Sequence, residues 1–132
     1  MLLKVDVISA KDFIVTTADG QLDLKASKTM LGKIRSAAKG KEAFDILIDL
    51  RHTTLKMSTV DIWDLSAGLP ESGVNLETKT AILIAKEMSA DKAEFLRLCA
   101  TSRGFRINIF TDYEEAMKWL HSPAESKSEE TI

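Results

Sequence analysis

The chain begins with Leu3-Lys4-Val5-Asp6-Val7, where apolar and polar residues alternate with period two, the pattern of a strand with one buried and one solvated face. A second run rich in β-branched residues, Phe13-Ile14-Val15-Thr16-Thr17, follows the polar pair Lys11-Asp12. These two runs predict an antiparallel hairpin at the edge of a sheet, with Asp19-Gly20 breaking its second strand. The period then changes. Met30, Leu31, Ile34, Ala37 and Ala38 recur as one side of a helix over residues 27–39, and Gly40 supplies the stop.

Three short continuous apolar runs follow, at residues 46–50, 80–85 and 106–110. A strand that is apolar at every position is covered on both faces, which is the situation in a parallel sheet under helices. Helix-start signals separate these runs. Ser58-Thr59-Val60-Asp61 opens a helix that Pro70 and Gly73 end, Ser89 can cap a helix running to Arg103 before Gly104, and Asp112 with Glu115 forms a capping box ahead of Ala116, Met117 and Leu120. The alternation predicts an α/β domain: a mixed sheet of four to five strands with an N-terminal hairpin and helices packed on it. Residues 1–121 are expected to form that domain. Residues 122–132 read as a disordered polar tail, because residues 121–130 carry no large apolar side chain to offset the entropy of ordering them.

Bulk composition narrows the function classes. At 132 residues, 45% hydrophobic and 29% charged, the sequence fits one globular domain. Eighteen basic against twenty acidic residues give a net charge of -2, so no excess of positive potential favours nucleic acid or an anionic membrane. Charges at Lys4 and Asp6 interrupt the apolar stretch a signal peptide needs, and no run reaches the roughly 18 apolar residues of a membrane span. A cytoplasmic protein without integral membrane association is expected. The lone cysteine, Cys99, lies among Phe95, Leu96, Leu98 and Ala100 and reads as a buried core thiol.

Candidate chemistry is sparse. Asp49, His52 and Ser58 can be drawn as a triad, but no Gly-x-Ser-x-Gly elbow or oxyanion device accompanies them, so a loop histidine in a structural hydrogen bond is the default. Two histidines, His52 and His121, and one cysteine make no metal cluster of usual spacing. The six glycines stand singly and form no phosphate-binding loop, and the basic residues Lys33, Arg35, Lys39 and Lys41 suit the end of the first helix without any ligand. No catalytic residue, metal or cofactor is assigned. The helix opened by Ser58 carries two apolar stripes, Val60/Trp63/Ala67 and Ile62/Leu65/Leu69, and one sheet face cannot cover both. Either the helix is deeply buried or part of it, around Trp63, faces a partner. Asp61 and Asp64, three residues apart, read as its solvated acidic side.

Two segments resemble the SpoIIAA-like, STAS-related family. Asp49-Leu50-Arg51-His52, followed by a short loop and Ser58, is similar to that family's Asp-Leu-Ser-His, apolar loop and Asp-Ser-Ser-Gly, with Met57 standing where the family has Asp and Val60 where it has Gly. Gly104, Phe105, Phe110, Asp112, Ala116, Trp119 and Leu120 match the segment that closes the broader group. The resemblance implies a non-enzymatic regulatory or protein-interaction module acting through residues 51–69. Its implied surface toward a protein partner or a homodimer comprises Arg51, His52, Ser58, Thr59, Asp61, Ile62, Trp63 and Asp64, with Ser58 as a phosphorylation site. A phosphate there would sit at a helix N-terminus, whereas the plain alternative is that Ser58 is only a helix cap. A rival implication, from a looser likeness to Sec14-type lipid-binding domains, is a carrier or sensor of a small apolar ligand. It would use Met30, Ile34, Leu55, Met57, Trp63 and Met88 to line a pocket above about 300 Å³.

Overall fold

Local signals set the elements and their neighbours decide how far each extends. The computed structural model describes residues 4–10, 12–41, 44–71, 76–87 and 90–122. In chain order it contains β1 (Lys4–Ser9), β2 (Phe13–Leu22), α1 (Leu24–Ala38), β3 (Asp45–Leu55), α2 (Thr59–Ala67), a short 3-10 turn (Leu69–Glu71), β4 (Lys79–Leu83), α3 (Ala90–Ser102), β5 (Arg106–Phe110) and α4 (Tyr113–His121). The five strands form one sheet in the order β1-β2-β3-β4-β5. Only β1 and β2 are antiparallel, as the edge hairpin requires, and the other three pairings are parallel.

Several boundaries differ from the sequence expectation. Asp19-Gly20 does not end β2: the register shifts between Thr17 and Asp19, Gly20 takes up φ +123°, and the strand continues to Leu22 beside β3. Helix α1 starts earlier than residue 27, because the Asp23 carboxylate accepts a bond from Ala26 N at 2.7 Å and caps it there. Strand β3 runs five residues beyond Leu50, so residues 51–55 are strand rather than loop. Gly40 and Gly104 adopt the positive φ of helix stops, +83° and +93°. Ser122, assigned to the tail, instead ends α4: its hydroxyl donates to Trp119 O at 2.7 Å. The remaining tail, 123–132, and the expected roles of Lys11, Gly73, Met88 and Ser89 lie outside the described residues.

The sheet has two unequal faces. Ile14, Ile46, Ile48, Ile82 and Ile107 point to one side, where Met30 and Ile34 of α1, Ile62 and Leu65 of α2 and Ala93 and Ala100 of α3 close the main core. On the other side Leu47 and Ala81 meet Ala116 and Leu120 of α4, the one helix on that face among the described residues. Because α4 lies over β4 and β5, the outer part of this face is open among the described residues, where Ile8 on β1 is 67% exposed. Cys99, expected in the core, is only half-buried on α3.

Candidate functional site

The segment that carries the family resemblance leaves the sheet at the carboxyl end of β3 and returns as α2. Asp49 stands opposite Thr17 and Leu83, and its carboxylate is gripped by Arg51 through the backbone N–H (3.1 Å), Nε (3.0 Å) and Nη2 (2.9 Å). Burial raises the Asp49 carboxyl, but the Arg51 hydrogen bonds and charge, with the charge of His52, outweigh it and leave it below the ordinary carboxylate value. The same contacts raise the Arg51 guanidinium, and the charge of Tyr113, the first residue of α4, adds to them. Asp49 and Arg51 therefore sit on the α4 side of the sheet. The register, which sets His52 opposite Asp19, places His52 on that side too.

Helix α2 lies over the opposite face. Ser58 is its N-cap in a complete capping box: Ser58 Oγ accepts from Asp61 N at 3.2 Å, and Ser58 N donates to Asp61 Oδ2 at 3.1 Å. The two apolar stripes separate cleanly. Ile62, Leu65 and Leu69 are buried against the sheet, whereas Val60 is 69% and Trp63 53% exposed, and Ala67 is also exposed. Arg103, at the end of α3, places its guanidinium 5.6 Å from the Trp63 ring centroid. Ser58, Thr59 and Asp64 are exposed beside this stripe.

The structure thus divides the predicted surface. It brings Ser58, Thr59, Trp63 and Asp64 together on the outer side of α2, and it puts Arg51 and His52 across the sheet from them. Ile62 is corrected outright: at 2% exposure it is a core residue, because its position in the helix turn points at the sheet. Asp61 is half-buried and committed to the cap. Arg103 was missed. The available signal was its place at the end of the neighbouring crossover helix, just before Gly104. Asp49 bonds Arg51 rather than His52, and Ser58 Oγ serves the cap, so the three members of the drawn triad do not form one chain of hydrogen bonds. Among the described residues no group of three or more His, Cys, Asp or Glu could hold a metal ion, and no helix is long and apolar enough to cross a membrane.

An enclosed apolar cavity of about 80 Å³ lies in the main core, lined by Met30, Ile34, Ile48, Met57, Ile62 and Ile82 among others. It is a fraction of the roughly 300 Å³ of a small-molecule pocket. Trp63, named for such a pocket, faces outward instead.

Comparison with known proteins gives no matching family model and no matching curated protein. Solved structures do match. An uncharacterised protein of the DUF3478 family with a SpoIIAA-like fold, from Shewanella loihica PV-4, is 22% identical, with 89% of this chain and 93% of that one aligned at a TM-score of 0.56. The chain has the SpoIIAA-like fold. An anti-sigma factor antagonist from Mycobacterium paratuberculosis shares it at 14% identity and TM-score 0.61, over 92% of this chain and 96% of that one. SpoIIAA in its unphosphorylated form shares it at 16% identity and TM-score 0.56, over 92% and 100%. Within this SpoIIAA-like fold the α2 capping box, the outward Trp63 and the Asp49–Arg51 pair all lie on the segment from β3 to α2.

Proposed function

We propose that this chain is a non-catalytic regulatory module that binds another protein, or a second copy of itself, through the outward side of α2. The observation that carries the reading is Trp63, half-exposed with Val60 and Ala67 on a helix whose other stripe already fills the core. A large aromatic kept in water beside an arginine is the composition of an interaction hot spot. Two of the structural neighbours, described as anti-sigma factor antagonists, support a regulatory role of this kind. A cytoplasmic setting fits the unpaired Cys99.

Phosphorylation of Ser58 is a refinement of the same proposal. The hydroxyl is exposed at a helix N-terminus, where backbone N–H groups favour an anion. A phosphate of charge about -1.5 to -2 would also confront the Asp61 carboxylate that now bonds Ser58 N, so modification would open the capping box and change the face seen by a partner. The test has two arms. Native mass spectrometry and pull-down of the wild-type chain should reveal a dimer or a defined partner that Trp63→Ala and Asp64→Lys abolish; complexes unchanged by both variants would refute the α2 surface. Incubation with candidate kinases should add a phosphate mass to the wild type and not to Ser58→Ala, and no mass gain removes the refinement alone.

A further inference from the structure

The sheet has a notch at its carboxyl end. Strand β3 continues to Leu55, six residues past Asp49, whose pairing with Leu83 is the last between β3 and β4. On its other side β3 stays paired with β2, past the register shift between Asp49 and His52, as far as Leu22↔Leu55, so the overhang is held by one neighbour and, among the described residues, has no strand beside it where β4 has ended. Lys56 N donates to Leu22 O at 2.8 Å, which turns the main chain of Lys56 and Thr54 toward β2. By the alternation of a strand, the N–H and C=O of Thr53 and Leu55 point the other way, into the notch. The notch opens as a cleft of about 380 Å³ lined by Arg51, Thr53, Thr54, Leu55, Ala85, Glu87 and Lys92.

We propose that this notch receives an extended polypeptide segment, which joins the sheet beside Thr53 and Leu55 as a short extra strand and places an acidic side chain at Lys92. The main chain of the cleft selects the class of ligand. Outward donors and acceptors on alternate residues, Thr53 and Leu55, about 7 Å apart, are matched by another extended backbone and by little else. A phosphorylated small molecule fits worse: Arg51 is already engaged by Asp49, Glu87 stands on the rim, and no aromatic side chain lines the cleft to stack a base. Lys92 selects the side chain. It is half-buried at the start of α3, and among the described residues no carboxylate lies within ion-pair distance of it. The inference keeps the reading of the chain as a protein-binding module but not the location of the binding surface, since the notch and the outer side of α2 are different places.

Hydrogen exchange on the free 132-residue chain tests the premise. Thr53 and Leu55 amides should exchange at least tenfold faster than those of Thr54 and Lys56; equal protection of all four would overturn the proposal. Selection of random heptapeptides displayed on phage against the wild-type chain tests the occupant. The expected result is enrichment of sequences containing Asp or Glu whose synthetic peptides shift the Thr53 and Leu55 amide resonances. Their affinity should fall about tenfold with Lys92→Glu, the scale of one lost charge-assisted contact, and vanish with Ala85→Trp, which fills the notch from the side opposite β3. No enrichment, or peptides that bind both variants as well as wild type, would overturn it. Peptides that shift residues 59–67 and are lost with Trp63→Ala would instead place peptide binding on α2 and leave the notch empty.

Discussion

At the scale of single residues, two polar arrangements around the carboxyl end of β3 make separable predictions. Ser58 closes a reciprocal capping box with Asp61, so Ser58→Ala should lower stability by about 1 kcal/mol, read as a shifted urea midpoint at constant m-value, and Ser58→Asn should restore most of it. Asp49 is governed by Arg51. With its carboxyl held below the ordinary value, 3.8, the folded state binds its proton less readily than the unfolded chain does. The stabilisation from the pair is therefore complete above the unfolded value and disappears as pH falls through the folded one. In Arg51→Ala burial, the backbone N–H of residue 51 and the weaker influence of His52 remain while the guanidinium bonds and charge are lost, so the titration of Asp49 followed by carboxyl NMR should rise from its wild-type position. A titration unmoved by the substitution would show that Arg51 is not what holds the carboxyl down.

At the scale of elements, α4 is attached by a feature that periodicity does not reveal. Lys79 opens β4 and is 6% exposed, yet its Nζ donates to Trp119 O (3.0 Å), Ser122 O (2.5 Å) and Ser122 Oγ (3.0 Å) and lies 5.6 Å from the Trp119 ring centroid. A cation held against the last carbonyls of a helix satisfies both their lone pairs and the helix dipole. Lys79→Met, which keeps the apolar stem, should cost about 2 kcal/mol and accelerate amide exchange in α4 more than in β4 or β5. Uniform acceleration across the sheet would mean that the lysine supports the whole core rather than the helix. Asp45, across from Lys79, reports the same change: burial already raises its carboxyl against the opposing charges of Lys79, His121 and Arg106, and loss of Lys79 should raise it further. The sequence marked α4 by its capping residues and its apolar spacing. It did not mark Lys79, because a lysine beginning a strand looks the same whether its amine meets water or a helix end. Residues 51–55 were hidden for a related reason: Arg51, His52, Thr53 and Thr54 read as a polar loop, and their strand conformation is imposed by pairing with β2.

At the scale of the whole molecule, three greasy strands and the helices between them were legible because each buried run is apolar on both faces, and the edge hairpin was legible from its alternation. The orientation of α2 was not. Val60/Trp63/Ala67 and Ile62/Leu65/Leu69 are equally apolar stripes on the same helix, and which of them meets the sheet depends on how β3 delivers the chain at Ser58, a property of the assembled fold rather than of the segment. That division also separates stability from binding. Ile62 is fully enclosed by the main core, so Ile62→Ala removes buried methyl groups beside an existing cavity of about 80 Å³ and should cost roughly 2–4 kcal/mol. Trp63 makes its contacts mostly with water and with Arg103, so Trp63→Ala should change stability by less than about 1 kcal/mol. Partner binding should respond in the opposite order, kept by Ile62→Ala below its lowered unfolding midpoint and lost by Trp63→Ala. Denaturation and binding measured on the two variants decide the point: a Trp63→Ala protein that is strongly destabilised, or an Ile62→Ala protein that folds but does not bind, would mean that the two sides of α2 are not divided between core and partner.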